Sequence, residues 1–239
     1  MWDQLLSDPG AARRDGFAVT NADRRAQLQA ARAEQLAAVL DDLLHLTGEE
    51  RALDVGCGTG ALAFALAPRV REVVALEIDE ELAERARADA PPNVQVVTGD
   101  AEQLPFDDFE FELTGALRTL HHANRPERIV AELTRVTRPN GTILIADQIA
   151  PVDPLQALEL NRFEQARDPS TRRVLSEPDL RGLFDSNDLR LRRELMITES
   201  RDIDDYLALA GCEGAERDRA RNLAPTGYSA IVAWYVLER

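Results

Sequence analysis

The sequence predicts an α/β protein, a parallel sheet covered by helices on both faces, on three observations. Short β-rich runs alternate with helical patterns, an apolar strand run ends in a glycine-rich loop that opens a helix, and no Ser/Gly- or Pro-rich linker divides the 239 residues. Residues 21–46 read as one long helix, because Leu36, Val39, Leu40, Leu43 and Leu44 recur at helical spacing and form a stripe that must pack on something. Five β-rich runs follow: Arg51–Val55, Arg71–Ile78, Asn93–Thr98, Phe109–Ala116 and Thr142–Asp147. Helical patterns near Gly60–Ala67, Glu80–Ala90 and Pro126–Thr137 separate them, the signature of βαβ units. Leu189–Ile197 alternates apolar with charged residues and is expected near a sheet edge, whereas Ala230–Leu237 is apolar on both faces and is expected inside. Between them and the parallel core, residues 151–188 carry Pro151, Pro154, Pro169 and Pro178 and read as short helices, either a lid over a site or a simple cover for the sheet. The expectation is a single domain over 1–239. It comprises an N-terminal cap helix region (1–46), a ligand-binding core (47–150), the lid segment (151–188), and closing strands and helices (189–239).

The formal net charge of −15 opposes a large phosphate-backbone interface, so a small molecule or another protein is a better partner than nucleic acid. All 28 basic residues are arginine, and the local cluster Arg167, Arg172 and Arg173 is at most a local anion site. Cys57 and Cys212 are the two cysteines; without C-x-x-C or Cys/His ligand spacing they suggest no metal site, and Cys57, small and set between glycines, reads as packing rather than as a nucleophile. The N-terminal residues carry no basic region followed by an apolar core, and no apolar run approaches the ~18–20 residues of a membrane span. A soluble cytoplasmic protein with no membrane partner is the expectation.

The loop Leu53-Asp54-Val55-Gly56-Cys57-Gly58-Thr59-Gly60 builds an anion or cofactor cradle, because glycine permits positive φ and close backbone approach while the next helix offers unpaired N–H groups. Gly56, Gly58 and Ala61 also fit G-x-G-x-x-A, so the loop alone leaves dinucleotide and adenosyl ligands open. Three acids lie at strand ends: Asp54, Glu77 and Asp100. At the end of the second strand Glu77 can accept both ribose hydroxyls, a contact equally good for NAD and for adenosyl cofactors. Asp100 can pair with an adenine amino group. Asp54 is placed to attract an ammonium, which NAD lacks.

ALDVGCGTG, VVALEID, GDAEQLPF, LHH and RVTRPNG, in that order, resemble the motifs of the class I S-adenosylmethionine-dependent methyltransferases, in particular the small-molecule group related to the ubiquinone/menaquinone biosynthesis C-methyltransferases. The resemblance covers residues 51–147 well and the rest in architecture. It implies a Rossmann-like, seven-stranded, mostly parallel sheet whose last strand is antiparallel and inserted beside the fifth, in agreement with an interior Ala230–Leu237. It implies S-adenosylmethionine as cofactor. Gly56, Cys57, Gly58 and Gly60 then lie along its methionine and sugar portion with Asp54 near the ammonium, Glu77 on the ribose, Ile78 against adenine, and Asp100 with Ala101 on the adenine edge. Leu117, just past the fourth strand, completes the set. Asp54 and Asp100 also suit plain turn or helix caps.

The chain departs from that pattern in places. The aromatic-rich N-terminal segment with paired Asn and Met of the quinone enzymes is absent around Phe17–Arg32, which weakens any transfer of their substrate, and the usual P-G-G turn is Pro139-Asn140-Gly141. Neither the N-P-P-aromatic motif of amino methyltransferases nor the Pro-Cys nucleophile of cytosine-C5 enzymes is present, which argues against DNA bases as substrates. The expected acceptor is a small molecule methylated by in-line SN2 transfer, for which the protein mainly positions the nucleophile. If the acceptor has a proton to lose, His121 and His122, two of three histidines, stand where the site opens, with His122 the better placed; packing or capping of the next helix is the competing role. Phe17 or Arg24 is expected to close over the cofactor from the N-terminal side. Two other readings stay open: a non-catalytic S-adenosylmethionine-binding protein, and an NAD(P)-dependent oxidoreductase, which leaves Asp54 and GDAEQLPF unexplained.

Overall fold

The leucine stripe does form a buried helical face in the computed structural model, which describes residues 33–239. Residues 33–43 (α1) are helical and Leu36, Val39, Leu40, Leu43 and Leu44 are all buried. The helix stops short of Leu46: Gly48, at φ 88°, turns the chain, and the Glu50 carboxylate accepts the N–H groups of Thr47 and Gly48 at 2.7 and 3.0 Å. The expected start at Asn21 and the roles of Phe17 and Arg24 lie outside the described residues.

The strands are β1 (Arg51–Val55), β2 (Glu72–Glu77), β3 (Val94–Thr98), β4 (Phe111–Leu117), β5 (Thr137–Ile149), β6 (Arg190–Ser200) and β7 (Ser229–Glu238). The helices after α1 are α2 (Ala61–Leu66), α3 (Glu80–Asp89), α4 (Pro126–Val136), α5 (Pro154–Arg167), α6 (Glu177–Asp185), α7 (Ile203–Leu209) and α8 (Gly214–Leu223). One seven-stranded sheet has the order β3-β2-β1-β4-β5-β7-β6. The first five strands run parallel and β7 lies antiparallel between β5 and the edge strand β6. The sequence placed the inserted last strand and its edge neighbour correctly.

Strand β5 begins at Thr137 rather than at Thr142, because Pro139-Asn140-Gly141 is an irregularity within the strand and not a turn before it. Asn140 adopts φ 63°, the register against β4 shifts between Phe111 and Leu113, and a Cβ on Gly141 would collide with the Thr137 side chain and the Arg138 carbonyl. Several caps can be read directly from residue type. Asp79 accepts from Glu81 N and Leu82 N at the start of α3, Asp153 caps α5 in the same way, and Ser176 and Asp179 form a capping box on α6.

Alternation along the strands divides the core into two layers. Leu53, Val55, Val74, Leu76, Ile143, Ile145 and Tyr235 pack with α4 and α6 through Ile129, Leu133, Leu180 and Phe184. On the opposite face Ala52, Val73, Ala75, Leu144, Ala146 and Trp234 pack with α1 and α2 through Leu40, Leu43, Leu62 and Leu66. Burial of each such Leu, Ile or Val stabilises the fold by about 1.5–3 kcal/mol, so the two layers fix the carboxyl ends of β1, β2, β4 and β5 relative to one another. A third cluster joins α5, α7 and α8 around Phe163, Tyr206 and Leu207. Among the described residues no helix is long and apolar enough to cross a membrane.

Candidate functional site

At the end of β1 the chain makes the glycine turn that the sequence announces. Gly56 sits at φ 70°, and a Cβ there would fall inside the van der Waals radius of the Thr119 side chain, whose hydroxyl donates to Val55 O at 3.0 Å. Gly58 sits at φ 56°, yet a Cβ on it would meet nothing within 4 Å. Protein therefore closes one side of the loop at Gly56 and leaves free space at Gly58, the property a cradle needs. Gly56 N and Cys57 N both donate to Leu76 O, at 2.8 and 3.0 Å, which ties the loop to the end of β2.

Glu77 is the second tie. Only 7% exposed, it accepts the Gly58 N–H through Oε2 at 2.7 Å and the Ile78 and Asp79 N–H groups through Oε1 at 2.9 and 3.0 Å. A carboxylate has about four acceptor positions, so three backbone donors leave room for a further hydroxyl donor. Asp54 lies beneath the loop at 1% exposure; its Oδ2 accepts the Ala63 N–H of α2 at 2.9 Å, while Oδ1 is buried with no hydrogen-bond partner. Burial pushes this carboxyl up to about 7, and the negative charge of Glu77 adds to the rise, against the Ala63 hydrogen bond. It is thus both a helix cap and a carboxyl oxygen awaiting a donor.

The remaining expected contacts border this centre. Ile78 is 66% exposed, an apolar side chain left uncovered beside the Glu77 carboxylate. Asp100 is exposed at the end of β3 and accepts the Glu102 N–H at 2.8 Å, a local turn; Ala101 and Leu117 are half-buried. Cys57 is buried, its thiol donates to Gly58 O at 3.6 Å, and burial pushes that thiol far up from its ordinary value, so it packs and does not act as a nucleophile.

After β4 a short 3-10 turn, Leu120–His122, holds both histidines; the N-cap of α4 is Arg125, so neither histidine caps that helix. His121 Nδ1 lies 2.6 Å from Asp147 Oδ1 and its N–H donates to Asp147 Oδ2 at 3.1 Å. Asp147, 2% exposed at the end of β5, is held below the usual carboxylate range: burial opposes this, but the His121 ring and the His121 and Gln148 N–H groups prevail. His122 Nδ1 lies 2.9 Å from Ser170 Oγ, and the two imidazole rings stand 4.0 Å apart. Burial, reinforced by the proximity of His121, lowers the basicity of His122.

Three partners here were not anticipated from the sequence. Asp147 carried the same signal as Asp54 and Glu77, an acid at a strand end; Ser170, and Asp168 behind it, which accepts the Ser170 hydroxyl at 2.6 Å, carried none. The arginine cluster does not converge: Arg167 pairs with buried Glu164 at 2.8 Å, Arg173 pairs with Asp179 at 2.8 Å, and Arg172 contributes its backbone N–H to His121 O at 2.8 Å. Arg118, next to the histidines, pairs with Glu199 at 2.6 Å. Glu164 anchors α5 through Gln148, Tyr206 and Tyr228, so the first helix of the 151–188 segment is fastened to β5, to α7 and to the residue just before β7 by buried hydrogen bonds.

Residues 53–145 match the family model described as "Methyltransferase domain". An uncharacterised methyltransferase of Bacillus subtilis (strain 168), YcgJ, is 34% identical over 145 residues, covering 59% of this chain and 57% of that protein. A demethylmenaquinone methyltransferase of Clavibacter sepedonicus is 34% identical over 53% of either chain. The chain thus spans about half the length of the curated relatives it matches. A solved Bacillus halodurans C-125 structure, described as a candidate methyltransferase, superposes with a TM-score of 0.78 at 26% identity over 84% of this chain and 97% of its own. The geranyl diphosphate C-methyltransferase of Streptomyces coelicolor A3(2) shares the fold, with a TM-score of 0.73 at 15% identity over 97% of this chain and 88% of its own.

Proposed function

We propose that this chain, whose residues 53–145 match the methyltransferase domain model, is an S-adenosylmethionine-dependent methyltransferase that acts on a small-molecule acceptor. The observation that carries this reading is Asp54: a buried carboxyl oxygen without a partner lies beneath a loop that is open at Gly58 and pinned by Glu77. An amino-acid ammonium would satisfy that oxygen, and a nicotinamide dinucleotide has none to offer. In this reading Asp54 holds the ammonium, Gly56, Cys57, Gly58 and Gly60 follow the methionine and sugar, and Glu77 takes ribose hydroxyls on its remaining acceptor capacity. Ile78, Asp100, Ala101 and Leu117 frame the adenine side. When bound, the cofactor supplies a methyl group on a sulfonium sulfur, ready for in-line SN2 displacement without acid assistance to the leaving group.

The histidine pair supplies what the acceptor needs. His121 donates its Nδ1–H to Asp147, which leaves Nε2 as the proton acceptor and stabilises the imidazolium that forms when an acceptor hydroxyl, enol or carbon acid loses its proton. The pair stands just past the end of β4, next to the glycine turn that Thr119 closes, which sets proton removal beside methyl transfer. Of the 151–188 segment, the stretch after α5 serves as the lid, since the Arg172 and Arg173 N–H groups reach His121 O while α5 itself is anchored.

Calorimetric titration with S-adenosylhomocysteine, and with NAD in parallel, tests the reading. Binding of the adenosyl ligand that is lost in Glu77→Ala is the expected result. Binding of NAD alone would overturn it.

A further inference from the structure

The histidine that the motif places in the site is not held by the acid that holds its neighbour. His122 faces the connection between α5 and α6, a stretch forty-eight residues away in sequence. Asp168 caps the end of α5 through its own N–H, which donates to Glu164 O at 2.8 Å. Its Oδ1 accepts the Ser170 N–H at 2.9 Å and the Ser170 hydroxyl at 2.6 Å. Ser170 Oγ in turn lies 2.9 Å from His122 Nδ1. The same connection sends the N–H groups of Arg172 and Arg173 to His121 O at 2.8 and 3.1 Å, and Gln165 Nε2 donates to Arg172 O at 2.7 Å.

The direction of this chain of hydrogen bonds follows from counting protons. Burial alone would raise Asp168, yet the two hydrogen bonds from Ser170 and the charge of Arg167 hold it below the usual carboxylate range, so at neutral pH it only accepts. The single hydroxyl proton of Ser170 is committed to Asp168, and toward His122 the Ser170 oxygen presents lone pairs. The hydrogen bond closes only when His122 carries a proton on Nδ1, and because burial lowers the basicity of this ring it is neutral at pH 7. Nε2 is then bare.

We infer that Ser170 and Asp168 are positioning residues that fix the tautomer of His122, so that its Nε2, like that of His121, is ready to accept a proton from the methyl acceptor. The inference rests on the methyltransferase reading for its purpose but not for its geometry. In the step it prepares, the acceptor's O–H, N–H or C–H bond breaks, an Nε2–H bond forms on His122, and the electron pair stays on the acceptor atom. The imidazolium charge is then shared through Nδ1–H with Ser170 and Asp168. Neither positioning residue touches the acceptor. The relay also makes His122 dependent on the seating of the 168–173 connection: when that connection lifts, the imidazole loses the partner that specifies its tautomer.

The chain has three histidines, His45, His121 and His122, which makes the test direct. Protein labelled with 15N-histidine is examined by imidazole-selective NMR at neutral pH, with the rings assigned from His45→Gln and His121→Gln. Wild type is expected to show His122 protonated on Nδ1. Ser170→Ala should transfer that proton to Nε2, and Ser170→Thr, which keeps the hydroxyl, should return it to Nδ1. Asp168→Ala should also produce the Nε2–H form, because the freed serine hydroxyl now donates to Nδ1. A wild-type His122 protonated on Nε2, or a tautomer unmoved by both Ser170→Ala and Asp168→Ala, overturns the inference. Calorimetry with S-adenosylhomocysteine on the same samples separates the two readings. Wild type that fails to bind the ligand removes the methyltransferase reading and leaves the relay standing, whereas retained binding with an insensitive tautomer does the reverse.

Discussion

The carboxyl edge of the sheet has two halves built in different ways. At β1 and β2 the site is made by residues close to one another in two motifs: Gly58 and Glu77 meet across one βαβ crossover, Asp54 reaches Ala63 nine residues on, and the donors are almost all backbone N–H groups. At β4 and β5 it is made by side chains brought from far apart, His122 from Ser170 across forty-eight residues and Arg118 from Glu199 across eighty-one. Backbone donors fixed by a short crossover do not depend on what the rest of the chain does, so the first half suits a ligand that never changes. Side chains recruited from α5, β6 and the connections between them can be exchanged without disturbing the sheet, so the second half suits an acceptor that differs from one protein to the next.

The sharpest way to break this division is to separate chemistry from cofactor binding. His121→Ala and His122→Ala should each leave S-adenosylhomocysteine binding intact while methyl transfer, to an acceptor found by screening, falls for at least one of them by roughly 10²–10⁴-fold. Wild-type turnover in both would remove the histidines from the mechanism.

Asp54 gives the next largest effect, in the other half. Its folded value of about 7 lies above the unfolded value near 3.9, so between those limits the native protein keeps a proton that the unfolded chain has lost. The contribution of Asp54 to stability therefore falls as pH rises from about 4 to 7 and is flat beyond, a loss on the order of 4 kcal/mol. Asp54→Asn should lose that slope in urea unfolding, become the more stable protein at pH 8, and bind S-adenosylhomocysteine more weakly. A variant with the wild-type slope would show that Asp54 is ionised throughout.

Glu77→Ala strips the acceptor from three backbone N–H groups. With about 1–3 kcal/mol for a buried donor left without a partner, and less at exposed Ile78 and Asp79 where water can replace the carboxylate, it should lower the urea midpoint as well as abolish ligand binding. Ile78→Ala is the mildest change. Because Ile78 is exposed in the free protein, stability should stay within about 0.5 kcal/mol, while ligand affinity falls by about 1 kcal/mol as measured by calorimetry.

The same division decides what could be read from the sequence. The glycine loop, Asp54, Glu77 and the strand pattern were legible because each is a local rule: positive φ, an acid at a strand end, alternation. The interior position of β7 was legible because a strand apolar on both faces has only one place to go. The proton relay was not, since nothing in Pro169-Ser170-Thr171 distinguishes a surface turn from the partner of a histidine. The full role of Glu77 escaped for a subtler reason, as its hydrogen bond to Gly58 exists only once β1 and β2 are in register. The early start of β5 escaped because Pro-Asn-Gly reads as a turn, whereas here it is a bulge between paired residues.

Strand β7 sets the timetable of assembly. Its residues pair with β5 from Thr142↔Glu238 to Ile149↔Ile231 and with β6 from Arg190↔Glu238 to Ser200↔Ser229. A nascent chain can therefore complete β1 to β5 while β6 is still without any strand to join, and on the ribosome the edge of β5 stays open until residue 238 has emerged. For that interval β5 presents unpaired N–H and C=O groups beside apolar side chains, the arrangement most prone to pairing with another chain. The inserted strand is also the last guard against aggregation, so slowed synthesis through α7 and α8 should cost this protein more in soluble yield than the same delay placed before β5.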